Sequence, residues 1–185
     1  LRPCRLSDLD SLIEIYHEGF QQELAFFFKK FCKSFFESRF GLLVKDTIVA
    51  ESDYGLVGFV TVALGLRPLV SIKVFQLILK LPMLLTSAKR HFFIYILQKL
   101  RNTDWSESLV GIACIAVSTK WRSKRIGGAL MCEALARYPD RDSILDVRPW
   151  NESAIRLYTS AGFRRTGVWK DPLGQWFVMR RSKFS

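Results

Sequence analysis

Apolar residues recur along this chain with two different periods, and the changes between them mark where helices give way to strands. In DLDSLIEIYHEGF the positions Leu9, Leu12, Ile13, Tyr16 and Phe20 share one helical face, with Ser7 as the expected N-cap and Gly19 as the expected end. A short strand over Leu1–Leu6 is expected before it. QQELAFFFKKFCKSFFESRF keeps helical spacing through Leu24, Phe27, Phe28, Phe31 and Phe35 and closes at Gly41. A helix packed on a sheet is its expected form, with Phe26 and Phe36 left over for an apolar surface. DTIVAESDYGLVGFVTVAL then alternates as a hairpin, its acidic turn holding Gly55 and its second strand carrying Val57, Phe59, Thr61 and Ala63 on one face.

From Leu64 to Arg101 the pattern changes. The segment RPLVSIKVFQLILKLPMLLTSAKRHFFIYILQKLRN has no acidic residue and is broken by Pro82, Lys73, Lys80, Lys89 and Arg90. These interruptions leave no apolar run of about 18 residues, which disfavours a membrane-spanning helix. Two amphipathic helices flanking Pro82 are expected instead. Beyond Asp104 strands and helices alternate: SLVGIACIAV, a basic turn, IGGALMCEALARY, SILDVRP, NESAIRLYTSAGF, FRRTGVW, the turn DPLGQ, and WFVMRRS. Such alternation ending in an antiparallel pair predicts an α/β (α+β) domain over residues 1–185. A helical insertion over 65–103 is expected within it.

Composition refines the picture in two respects. The 185 residues are 49% apolar, enough for one core, and carry a formal charge of +11, which points to a polyanionic partner. Nucleic acid, anionic lipid and a phosphorylated ligand all satisfy that charge, and no nucleic-acid recognition module accompanies it. Cys4, Cys32, Cys114 and Cys132 are scattered without C-x-x-C or histidine at metal-ligand spacing, so neither a metal nor a disulfide framework is expected. Buried free thiols in a reducing, cytoplasmic setting are the expected state. The opening LRPCRLSDLD lacks a signal-peptide pattern, and its leucine start suggests a trimmed amino terminus.

Candidate chemistry gathers in KWRSKRIGGALMCEAL. A strand ending at Val117, a turn with Arg122, Ser123, Lys124 and Arg125, and a helix opening on Ile126, Gly127 and Gly128 together make an anion site. Outward N–H groups, the helix dipole and small residues all favour a pyrophosphate there. Neither G-x-x-x-x-G-K-[ST] nor G-x-G-x-x-G is present, which excludes a P-loop and a dinucleotide fingerprint. Further on, Asn151 is the expected N-cap of a short helix on which Ala154, Leu157 and Tyr158 lie three or four residues apart.

Taken together, IAVSTKWRSKRIGGALM and LDVRPWNESAIRLYTSAGF resemble the GNAT superfamily of N-acetyltransferases. That superfamily carries [QR]-x-x-G-x-[GA] at the cofactor pyrophosphate, followed by N-x-x-A-x-x-[LF]-Y-x-x-x-G-F. Arg122 to Gly127 occupy the first pattern, and Asn151, Ala154, Leu157, Tyr158, Gly162 and Phe163 match the second. The resemblance spans Ile112 to Phe163 strongly and Leu1 to Leu64 more loosely. It implies the GNAT fold, a mixed central sheet of about six to seven strands flanked by helices, with the insertion between strands 3 and 4.

The resemblance also implies roles. Ile115, Ala116 and Val117 would bond the pantetheine arm of acetyl-CoA, and Arg122, Ser123, Lys124, Arg125, Ile126, Gly127 and Gly128 would cradle its pyrophosphate, with Asn151 and Ala154 close by. The acetyl group would pass directly to a primary amine without a covalent enzyme intermediate. Tyr158 would be the general acid facing the departing thiolate. The nearest likeness is to ribosomal-protein N-terminal acetyltransferases, whose L-E-V-R strand aligns with LDVR and makes Asp146 the candidate base, acting through a water or serving instead as a structural partner of arginine. Glu18 and Glu23 are the reserve carboxylates, and Trp150 and Trp169 are expected to be buried packing residues.

Arg125 departs from the family, which has glycine there; an ordinary right-handed helical backbone is expected for it, with a site weakened in a non-catalytic relative as the alternative. The insertion resembles that of acetyltransferases in cell-surface sugar pathways, and implies a lid, a homodimer surface or a peripheral contact with anionic membrane. The expected acceptor is a small amine such as an amino sugar. A protein amino terminus or lysine is the first alternative, and a CoA-binding regulatory module without turnover the second.

Overall fold

The computed structural model describes residues 1–20, 44–64, 108–171 and 173–183. The Phe-rich helix expected over 21–40, with Glu23 and Cys32, and the helical insertion expected over 65–103 lie outside the described residues. Among the described residues seven strands form one sheet: β1 (Arg2–Pro3), β2 (Thr47–Ser52), β3 (Gly55–Leu64), β4 (Leu109–Val117), β5 (Asp142–Val147), β6 (Arg164–Asp171) and β7 (Gly174–Arg181). Their spatial order is β1-β2-β3-β4-β5-β7-β6. Only the central β4–β5 pair is parallel. Three α-helices accompany them among the described residues: α1 (Leu9–Gly19), α2 (Ile126–Ala136) and α3 (Glu152–Ser160).

The first helix starts differently from its sequence reading. Leu6–Asp8 form a 3-10 turn, so Ser7 lies inside that turn instead of capping α1. Asp8 closes the turn: its carboxylate accepts the Arg5 N–H at 2.8 Å and receives the Arg2 guanidinium at 2.7 and 3.0 Å. A carboxylate so placed satisfies a donor at the chain's entry into a helix, the work expected of an N-cap.

The β2–β3 hairpin forms around Asp53 and Tyr54, with Gly55 at φ 108°. Its second strand is buried on both faces instead of alternating: Phe59, Val60, Thr61, Val62 and Ala63 are each at most 3% exposed. Central strands covered on both sides lose the polar alternation of a half-exposed sheet. Phe59 packs with Leu12, Ile13 and Ile15 of α1, whereas Val57, Val60 and Val62 pack with Leu130, Met131 and Ala134 of α2. Two apolar layers therefore clamp the centre of the sheet, and they position the strand from which the site is built. Between the layers Thr47 and Thr61, both buried, bond hydroxyl to hydroxyl at 2.9 Å across the β2–β3 pair.

Candidate active site

β4 carries the site because it leaves its neighbour. Leu109, Val110 and Gly111 pair with Asp142, Ser143 and Ile144, and the β4–β5 ladder stops there although both strands continue. On the opposite edge β4 stays paired with β3 as far as Val117. The departure coincides with a bulge: Thr61 faces Cys114 and Val62 faces Ile112, leaving Ala113 as the extra residue. A bulge bends and twists its strand, which swings the Ile112–Val117 half away from β5. Ile115, Ala116 and Val117 thus lie on an edge that is not laddered to β5, a backbone surface able to bond an extended ligand arm.

Past Val117 the chain makes a 3-10 turn over Thr119–Trp121 and enters α2. Ser123 and Arg125 have φ of 63° and 61°, the only non-glycine residues with positive φ among the described residues. This corrects the sequence expectation for Arg125, which takes the left-handed conformation that glycine would have taken. The cost of a side chain there is about 1–2 kcal/mol, and such strain concentrates at functional turns. Arginine has no side-chain acceptor, so α2 has no side-chain cap, and the N–H groups of its first turn, those of Gly127 and Gly128 among them, donate to no such cap. A Cβ on Gly127 would touch Leu157 of α3 at 3.4 Å, while one on Gly128 would meet nothing within 4 Å. A side chain at Gly127 would begin in ordinary van der Waals contact with α3, whereas Gly128 leaves open space over the backbone. Arg122, Lys124 and Arg125 are exposed around that opening; Arg122 Nε donates to the Val117 carbonyl at 3.2 Å, and Lys124 Nζ sits over the Trp121 ring at 4.2 Å.

α3 brings Tyr158 to the opened seam. Asn151 caps the helix by accepting the Ala154 N–H at 3.1 Å. Gly162 ends it at φ 89°, and the Phe163 N–H returns to the Tyr158 carbonyl at 3.0 Å. Phe163 is buried with its ring 6.2 Å from that of Tyr158. Most of the motif residues thus build the short helix that holds Tyr158, which is only 7% exposed in the core cluster shared with Leu145 and Val147. Burial pushes its phenol well above the ordinary tyrosine range, with a smaller contribution from the nearby Cys114. The hydroxyl consequently keeps its proton at any pH near neutrality.

Asp146 alternates with Leu145 and Val147 along β5, so its partly buried side chain leaves the sheet on the face opposite the Tyr158 cluster. Glu18 is engaged elsewhere: Oε2 accepts the Thr119 N–H at 2.8 Å. Trp169 is buried at 4% exposure, but Trp150, expected in the core, is 52% exposed because β5 ends before it and the chain turns outward into α3. Cys132 is likewise exposed, whereas Cys4 is buried.

One constellation escaped the sequence reading. Arg148 and Asp171 form a buried bidentate pair at 3.0 and 2.8 Å. The Arg148 guanidinium lies 3.8 Å from the Trp176 ring centroid and 5.1 Å from that of Trp150, and Trp176 stacks on Trp169 at 5.6 Å. Asp171 also accepts from Trp176 Nε1 and from the Leu173 N–H, both at 2.8 Å. This stack ties the end of β5 to the β6–β7 hairpin beside the seam. The tryptophans in DVRPW and DPLGQW hinted at it, but their approach depends on the β5–β7 register, which pairs Val147 with Phe177.

Comparison with known proteins agrees with this geometry. The sequence profile of the Acetyltransferase (GNAT) family matches residues 9–163. No curated protein matches the sequence. Among solved structures, an N-acetyltransferase from Staphylococcus aureus Mu50 superposes with a TM-score of 0.71 at 17% identity, covering 97% of this chain and 98% of the other. A phosphinothricin acetyltransferase from Sinorhizobium meliloti in complex with AcCoA gives 0.63 at 21% identity, covering 97% and 85%. A ribosomal-protein-alanine N-acetyltransferase from Brucella melitensis gives 0.62 at 18% identity, covering 98% of each. At such identities the superpositions establish a shared fold, the profile match extends over most of the chain, and on these grounds the chain belongs to the GNAT family of acetyltransferases.

Proposed function

We propose that the protein is an acetyl-CoA-dependent N-acetyltransferase whose acceptor is the primary amine of a small molecule, with an amino sugar as the leading class. The observation that carries this reading is the opening of β4 from β5 beside the buried Tyr158. The residues present fit the cofactor: Gly128 has open space where a side chain would stand, and the first turn of α2 has no side-chain cap. Ile115–Val117 would hold the pantetheine arm, and Ser123–Gly128 the pyrophosphate, with Arg122, Lys124 and Arg125 neutralising charge. Acetyl-CoA, when bound, supplies the activated acetyl group. Tyr158 would hold a proton for the leaving sulfur: burial makes its phenol a weaker acid, so in this reading it donates a hydrogen bond to the developing thiolate and yields the proton only as the sulfur leaves. Asp146, reached through a water, takes the proton from the amine in this reading.

A second reading, acetylation of a protein amino terminus, draws support from the LDVR strand at Asp146. A single assay separates them: release of thiol from acetyl-CoA is followed against a panel of amino sugars, small amines and peptides with free amino termini. Turnover with amino sugars supports the first reading, and turnover with peptides alone supports the second. Tyr158→Phe is expected to lower kcat by about 100-fold or more while CoA binding persists. Calorimetric binding of CoA without turnover on any amine would overturn both readings in favour of a non-catalytic CoA-binding module.

A further inference from the structure

Glu18 stands on the last turn of α1, where a carboxylate opposes the helix dipole. Its side chain reaches a distant part of the chain: Oε2 accepts the backbone N–H of Thr119, 101 residues away, at 2.8 Å. That bond, the neighbouring hydroxyls of Ser118 and Thr119, and the charge of Arg122 hold the Glu18 carboxyl below the ordinary carboxylate range. The next residue adds a second point of attachment. A Cβ on Gly19 would come 3.3 Å from the Ala116 Cβ, so the end of α1 is seated tightly on the opened half of β4. Arg122 completes the unit by donating to the Val117 carbonyl at 3.2 Å.

We propose that Glu18 is a positioning residue for the loop between β4 and α2. It anchors the Ser118–Arg122 end of that loop to α1, so that the left-handed Ser123 and Arg125 present the N–H groups of α2 in one orientation. This inference rests on the acetyl-CoA reading given above, and it assigns Glu18 to cofactor positioning instead of proton removal from the acceptor. The chemistry needs only an acceptor atom at Oε2, so glutamine can replace glutamate there and alanine cannot.

The test compares Glu18→Ala and Glu18→Gln with wild type in the intact chain, reading KM for acetyl-CoA, kcat, CoA Kd by calorimetry, and Tm. Losing one hydrogen bond is expected to raise KM and Kd about five- to tenfold in Glu18→Ala, with kcat within about twofold. Glu18→Gln is expected to recover most of that affinity. A fall of about 100-fold in kcat at unchanged KM in both variants would overturn the proposal and make Glu18 the base. Unchanged Kd in Glu18→Ala would overturn it as well, and so would equal losses in the two variants, which would assign the effect to charge. Wild type that fails to bind CoA would overturn the parent reading, an outcome distinct from wild type that binds while the alanine variant binds equally well.

Discussion

The helices α2 and α3 start close to the opened seam, and Gly127 of one lies against Leu157 of the other, yet their first turns are finished in opposite ways. α3 is closed by its own sequence: Asn151 Oδ1 accepts the Ala154 N–H and also receives the Ser153 hydroxyl at 3.0 Å. α2 is preceded by Arg125 in a left-handed conformation, has no side-chain cap, and places two glycines in its first turn. A missing cap forgoes about 1 kcal/mol, and the left-handed arginine adds a further cost. Among the described residues the first N–H groups of α2 therefore have no capping side chain. Under the proposed function the start of α3 is a structural terminus and the start of α2 the one that would face the cofactor.

That contrast can be broken most directly at Gly128. Gly128→Glu would set a carboxylate of the chain's own at the start of α2, where the dipole tolerates it. CoA affinity is expected to fall by about 100-fold or more, because an anion then occupies and repels from the phosphate position. Calorimetry and thermal unfolding on one sample read both effects, and unchanged affinity would mean that α2 is not the binding terminus. A smaller change sharpens the role of the departure from the family pattern. Arg125→Gly relieves the left-handed strain and is expected to stabilise the fold by about 1 kcal/mol, after allowing for the flexibility of glycine. Loss of the charge is expected to weaken CoA binding about fivefold, and a tighter complex would show that the arginine hinders the site. The smallest expected effect on binding belongs to α3: Asn151→Ala is expected to cost about 1 kcal/mol in denaturant unfolding while leaving CoA Kd unchanged.

Legibility from sequence followed the range of the interactions. The helix over Leu9–Gly19, the hairpin at Gly55, the cap at Asn151 and the turn at Gly162 were readable, because each rests on side-chain and backbone chemistry within about four residues. Membership of the GNAT family was readable as a coupled pattern, since Gly127, Asn151 and Tyr158 stand at the family's separation, and the family match over residues 9–163 agrees. Burial of β3 on both faces was not readable, because Thr61 and Gly58 look like polar or small interruptions until two helical layers cover them. Trp150 shows the same limit in reverse: a large aromatic reads as core, and only the end of β5 exposes it.

By itself the sequence determined the mixed sheet, the helix bounded by Asn151 and Gly162, and the basic turn leading into Gly127 and Gly128. It carried these because hydrophobic period, capping side chains and left-handed glycines act on their own neighbourhood. Only the tertiary structure decided where β4 parts from β5, that Arg125 rather than a glycine takes the left-handed position, that Glu18 clips Thr119, and that Arg148 meets Asp171 between tryptophans. Each of these depends on partners brought together by strand register and helix packing. LVGIACIAV reads as one apolar strand throughout, and its division into a paired half and an open half follows from a single extra residue set against β3.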